Sequence, residues 1–209
     1  MALNSLTEQF DQEYLGLVRR EGGLFQESFE AYYQFLAQSD AKIKGQVIKS
    51  HFHPYVLSRQ EAEKIGHLGE TMARLIAKAG RLWFEEEEVR RLYNFDPRLK
   101  QALEVDPGYE TLVPIARYDA FYNSQDGSLM FCEFNADGSS GMNETNTAEE
   151  AFLATPVGQK LQSHFHLESF DLRGSLLHTL LKNFQEGQKG AEKPRIAIVD
   201  WHDVGTIHE

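Results

Sequence analysis

Cysteine is nearly missing from this chain. Cys132 is the single one in 209 residues, so no intramolecular disulfide can staple the fold. No apolar run reaches the length of a membrane span, and the first residues show no charged-then-apolar leader, which argues against secretion and membrane insertion. Positive charge is short as well. Against 32 acidic residues stand 21 basic ones, a formal charge of −11, which speaks against a nucleic-acid surface and leaves no basic stretch for anionic lipid. Internal repeats and low-complexity segments are also absent. The remainder, 41% hydrophobic and 25% charged, is the composition of a cytoplasmic globular protein with chain enough for one sizeable core or two small ones. A small molecule is the expected partner, with no nucleic acid and no membrane.

The first half has a helical pattern. In SLTEQFDQEYLGLVRREG, Leu6, Phe10, Tyr14 and Leu17 recur at helical spacing, and Ser5 with Glu8 has the form of a capping box. Gly22 and Gly23 are expected to end that helix. A second amphipathic stretch runs from about Phe25 to Phe35, and a third begins after Ser58, with Gly80 expected to close or bend it. FEEEEVRRLYNF then sets Glu86 against Arg90 and Glu87 against Arg91 at i,i+4, the spacing of a solvated helix face. Two histidine pairs, His51 with His53 and His164 with His166, alternate as on an extended strand. Neither has a nearby Cys or further His to complete a metal site, so an ordinary loop or edge strand is the favoured reading.

After Pro107 the pattern changes. IARYDAFYNSQDGSLMFCEFN reads as a β-hairpin with arms Ile115 to Tyr122 and Leu129 to Asn135 around a turn of Asn, Ser, Asp and Gly. A two-residue period puts Arg117 and Asp119 on one face of the first arm, and Phe131, Glu133 and Asn135 together on the second. Tyr118, Cys132 and Phe134 point the other way. Centring the turn near Asp126 sets Asp119 opposite Glu133 and Arg117 opposite Asn135. Like charges across a sheet are unfavourable and call for compensation. Arg117 could neutralise one carboxylate; alternatively, two carboxylates and an amide form a hard oxygen set suited to Mg²⁺ and a substrate phosphate. The next loop, ADGSSGMNET, offers small residues, with Ser139 and Ser140 between Gly138 and Gly141, to an anion.

At these residues the chain resembles a known family. Arg117-Tyr118-Asp119, a short hairpin, then Glu133-Phe134-Asn135-Ala136-Asp137 and Ser140 look like the amino-terminal signature of glutathionylspermidine synthase-like proteins, circularly permuted ATP-grasp ligases. The likeness covers about a seventh of the chain. It implies an ATP- and Mg²⁺-dependent carboxylate–amine ligase that works through an acyl phosphate, with ATP as co-substrate and small-molecule carboxylate and amine substrates. Asp119, Glu133 and Asn135 would be the Mg²⁺ ligands, Arg117 the catalytic contact to the phosphoryl group, and Ser139 and Ser140 part of the acid-substrate pocket. Where glutathione-using members carry a serine and a cysteine, this loop has Gly138 and Gly141, which leaves the acid open.

DLRGSLLHTLLKNFQEG has the pattern of an amphipathic helix, and KPRIAIVDWHD that of a buried strand, Ile196 to Val199, opening a parallel βα unit. The expected architecture is α+β: a helical region, residues 1–105, packed on a small sheet, then an α/β substrate- and Mg²⁺-binding region, residues 106–209. The family continues into a carboxyl-terminal ATP-grasp domain, which this reading takes to be missing, so residues 1–209 alone are expected to be inactive. A non-enzymatic ligand-binding module or degenerate relative is the alternative.

Overall fold

The computed structural model describes residues 5–93, 95–136, 139–187 and 193–199. The molecule is mixed α+β, mostly helical, with two small antiparallel sheets of two strands each. Helix α1 (Ser5–Arg20) turns Phe10, Tyr14 and Leu17 into the core, as the spacing requires; Leu6, the first of the stripe, is exposed. Ser5 already belongs to this helix. Glu21 alone breaks the chain, and Gly22 and Gly23 open helix α2 (Gly22–Gln38) instead of closing α1. Glycine is costly in a helix interior but cheap in a first turn, where backbone N–H groups lack partners in any case.

Strands β1 (Lys42–Ile43) and β2 (Gln46–Val47) form a minimal hairpin whose turn, Lys44 and Gly45, has positive φ at both positions. Helix α3 (Arg59–Glu85) starts on a complete capping box: the Ser58 hydroxyl accepts from Glu61 N–H, and the Glu61 carboxylate accepts from Ser58 N–H. Ser58→Ala should therefore cost about 1 kcal/mol, a fall of about 2–4 °C in melting temperature that calorimetry would read. Gly80 neither ends nor caps this helix, which continues for five residues to Glu85. Its role is space, because a Cβ there would meet Leu112 at 3.0 Å.

Helices α4 (Glu87–Leu92) and α5 (Pro97–Leu103) follow. The Glu87–Arg91 pair forms at 2.5 Å, but the Glu86–Arg90 pair does not replicate it. Glu86 is the extended residue between α3 and α4, so helical spacing does not apply to it. Arg90 instead donates to the carbonyls of Trp83 and Phe84 at the α3 carboxyl end, where a cation meets the negative end of the helix dipole.

The second hairpin is β3 (Arg117–Asn123) and β4 (Ser128–Asn135); helices α6 (Met142–Ala154), α7 (Pro156–Gln162) and α8 (Leu172–Gly187) complete the chain. The main core is helix on helix. Phe10, Tyr14 and Leu17 of α1, Tyr32 and Leu36 of α2, Phe152 of α6 and Leu161 of α7 close around Phe52. Residues on both sides of position 105 therefore share one core, and the helices pack on one another instead of on a sheet.

The expected strand Ile196–Val199 is a correction. Residues 193–199 have no strand pairing, and Ile196, Ile198 and Val199 are 64%, 92% and 91% exposed. A buried parallel strand needs neighbours in its sheet, and both sheets among the described residues are complete antiparallel pairs. Asp200 and the residues after it lie outside the described residues. Among those described, no helix is long and apolar enough to cross a membrane.

Candidate functional site

The β3–β4 hairpin is held as the turn chemistry dictates. Asp126 accepts from Ser128 N–H, Asn123 accepts from Gln125 N–H, and Gly127 takes a positive φ. The pairing sets Arg117 opposite Asn135, Tyr118 opposite Phe134 and Asp119 opposite Glu133. Past Asp119 the register shifts by one, so that Ala120 faces Phe131 and Cys132 is the extra residue of a β-bulge.

The bulge corrects one facing. Residues directly opposite share a face, so Phe131 lies with Ala120 and Tyr118, not with Glu133 and Asn135. The rings agree: Phe131 meets Tyr118 edge-on at 5.7 Å, and Phe134 stacks on Tyr118 at 5.3 Å. One face of the hairpin is thus aromatic. The other presents Arg117, Asp119, Glu133 and Asn135 together, continued toward the turn by the exposed Phe121 and Met130.

Within this polar face Arg117 spans Asp119. Its Nε donates to Oδ1 at 2.8 Å and its second nitrogen to Oδ2 at 3.4 Å, the forked form of an arginine–carboxylate pair. The Arg117 hydrogen bonds hold the Asp119 carboxyl below the usual range. The neutralising pair that the sequence allowed is therefore formed at Asp119. Arg117 also reaches the Ser140 hydroxyl at 3.4 Å. Ser139 donates to the Asn135 carbonyl at 2.8 Å, which binds the loop to the end of β4, while Asp137 and Gly138 lie outside the described residues.

Asn135 carries the site's unanswered group, since its Nδ2 is sealed from solvent with no hydrogen-bond partner among the described residues. A half-turn of an amide exchanges its donor for its acceptor. That position can therefore serve a phosphate oxygen in one sense or a cation in the other. Two carboxylates and an amide fit Mg²⁺ by donor type, with Asp119 shared between the ion and Arg117. Among the described residues, no group of three or more His, Cys, Asp and Glu is placed to hold a metal. Asp119 and Glu133 make two, and Asn135 would have to be the third protein ligand.

Sequence reasoning missed the residue that anchors the hairpin. Glu61, 1% exposed, accepts from Tyr122 of β3 at 2.7 Å, from the Ser58 hydroxyl at 2.7 Å and from Thr7 of α1 at 3.3 Å. Glu63 and Lys64 beside it on α3 make it look like one more surface charge, but the Ser-x-x-Glu spacing of the capping box was a readable signal. Lys64, on the next part of the same helix, donates to the Gly127 carbonyl in the hairpin turn.

Beside Ser140 opens a groove of about 1660 Å³ between α6, the loop after β2 and the segment after α7. Both histidine pairs line it, which their sequence positions gave no reason to expect. None forms a metal cluster: His53 pairs with Asp11 at 3.1 Å, His166 with Glu168 at 2.7 Å, and His164 Nδ1 lies 3.2 Å from the Lys160 carbonyl. Compared with known protein families, curated proteins and solved structures, the chain matches no family model, no curated protein and no solved structure.

Proposed function

We propose that the polar face of the β3–β4 hairpin is the Mg²⁺ and phosphate site of an ATP-dependent carboxylate–amine ligase of the glutathionylspermidine synthase-like kind. The observation that carries this reading is the register. Asp119 opposite Glu133, next to Arg117 opposite Asn135, concentrates two carboxylates, an arginine and an unsatisfied amide on one face, an arrangement a hairpin built only for stability would avoid.

The reaction has two parts. A substrate carboxylate oxygen takes the terminal phosphoryl group of ATP, giving an acyl phosphate and ADP. The amine nitrogen then adds to the acyl carbon, loses a proton, and expels inorganic phosphate to leave the amide. Mg²⁺ would be held by Asp119, Glu133 and Asn135 and would supply charge neutralisation for the phosphates. Arg117, already within reach of both Asp119 and Ser140, orients a phosphoryl oxygen through charged hydrogen bonds, and its contribution is positioning and electrostatics more than proton transfer. Ser140 borders the groove in which a substrate would lie, while Ser139 fixes the loop that presents it.

Calorimetric titration of the full chain with pyrophosphate, with and without Mg²⁺, tests the reading. Binding should require Mg²⁺ and should weaken about tenfold or more in Arg117→Gln, the scale of one lost charged hydrogen bond. Pyrophosphate binding indifferent to Mg²⁺ and to Arg117 would favour the non-enzymatic alternative.

A further inference from the structure

Residues 195–199, RIAIV, have a strand's composition and no strand to pair with; Ile196, Ile198 and Val199 stand exposed, burying nothing within their own chain. The β3–β4 hairpin has the converse. It pairs only with itself, so the outer backbone edge of each strand meets no other strand among the described residues. An open edge and an unpaired β-branched segment are the two halves of one interaction. Their side chains match as well. Drawn out as a strand, the segment puts Ile196 and Ile198 on one side and Arg195, Ala197 and Val199 on the other. The hairpin has one face with Tyr118, Phe131 and Phe134 and another with Asp119 and Glu133. Addition of the segment lays the isoleucines beside the rings and sets Arg195 on the side of Glu133. Charge selects the edge: β3 carries Arg117, which would repel Arg195, whereas β4 carries Glu133 and no cation, and its Cys132, Glu133 and Phe134 are exposed.

We infer that the chain forms a dimer in which residues 195–199 of each copy add as a strand to the β4 edge of the other. A second copy is the occupant because, within one chain, the structure leaves both the segment and the edge unpaired. Exchange between two copies satisfies both at once and closes under two-fold symmetry, so association stops at the dimer. Charge favours the exchange, since residues 193–199 carry Lys193 and Arg195 without an acid in a chain of formal charge −11. A single addition of this length is a small contact. Two of them, each bringing isoleucines onto an aromatic face, approach the low end of specific interfaces. The dimer stands on the edge and the segment, and not on the ligase reading.

Light scattering of the full chain across protein concentration tests this, in EDTA so that a cation at Glu133 plays no part. Monomer should give way to dimer with a midpoint on the order of ten micromolar, the strength of an interface of this size. Ile198→Lys and Arg195→Glu should each raise that midpoint about tenfold or more, because a charge on the apolar side or a like charge beside Glu133 opposes strand addition. Both residues are exposed in the single chain, so the melting temperature of dilute protein should not change. The free Cys132 on β4 reports the location. In Ile196→Cys, oxidation with diamide should join Cys132 of one chain to position 196 of another, seen as a dimer on a non-reducing gel and as the crosslinked peptide by mass spectrometry. A chain that stays monomeric at about 1 mM, a dimer indifferent to both charged substitutions, or a disulfide between Cys132 and position 196 of the same chain would each overturn the inference.

Discussion

In a longer protein that also carries the ATP-grasp domain, Glu133→Gln should lower ATP-dependent turnover by about a hundredfold or more, the scale on which loss of a metal-binding charge is felt, and recover only partly at high Mg²⁺. The substitution keeps the side chain's size and removes one of the two charges that face each other across the hairpin. Ion binding and phosphate alignment weaken together, because the same carboxylate serves both. Folding should be unharmed. Arg117 is engaged by Asp119, and relieving the repulsion between Asp119 and Glu133 should leave melting temperature unchanged or raise it by the equivalent of at most about 0.5 kcal/mol without metal. Glu86→Gln is the control, an exposed acid at the α3–α4 junction that should change neither property. A drop in melting temperature with unaltered Mg²⁺ dependence would make Glu133 a structural residue.

The second large effect is on stability. Glu61→Gln should cost about 3 kcal/mol, a fall of about 6–12 °C for a chain of this size. Both carboxylate oxygens are committed to donors from Ser58, Thr7 and Tyr122, so a glutamine NH₂ must oppose at least one of them in a buried setting. Burial raises the Glu61 carboxyl, but the hydrogen bonds from Tyr122, Ser58 and Thr7 outweigh it and set it below its ordinary value. A carboxyl so lowered stabilises the fold above its unfolded value of about 4.3, and that contribution disappears as pH falls through the folded value. The gap between wild type and Glu61→Gln should therefore be full at neutral pH and narrow below about pH 4. At the other end of the bond, burial and the hydrogen bond to Glu61 push the Tyr122 phenol up to about 12, so it stays a donor throughout this range. Thermal melts across pH check the pattern, and a gap that widened in acid would refute it.

Because Tyr122 is three residues from Asp119 on β3, Glu61 links two problems that the sequence kept apart, the start of a helix and the pose of the polar face. Local signals were the readable ones. Alternation and turn chemistry gave the hairpin and its base register, and three-to-four spacing gave the buried stripe of α1 and the start of α3. The bulge at Cys132 left no such mark, since no Gly or Pro accompanies it, and strict alternation put Phe131 on the wrong face. Gly22 was read as a stop and Gly80 as a stop or a bend because glycine is a poor helix former, yet helix starts and close approaches also favour it, and only the packing partner, Leu112 for Gly80, distinguishes these uses. Ile196–Val199 has a strand's composition without a strand's neighbours, and neighbours are a property of tertiary structure. The convergence of His51, His53, His164 and His166 on one groove was invisible for the same reason: more than a hundred positions separate the pairs in sequence, and only the shared core of Phe10, Phe52 and Phe165 brings them together.

The measurement that bears most directly on the hairpin as a metal and phosphate site is a Mg²⁺ titration followed by NMR on the side-chain carboxyl and amide groups of the full chain. The account expects saturable shifts at Asp119, Glu133 and the Asn135 side-chain amide, sharpened by pyrophosphate and abolished in Glu133→Gln, with the carboxyls of Glu86 and Glu87 unmoved. Shifts spread evenly over exposed acids, or none at Asp119, Glu133 and Asn135 up to tens of millimolar Mg²⁺, would contradict it.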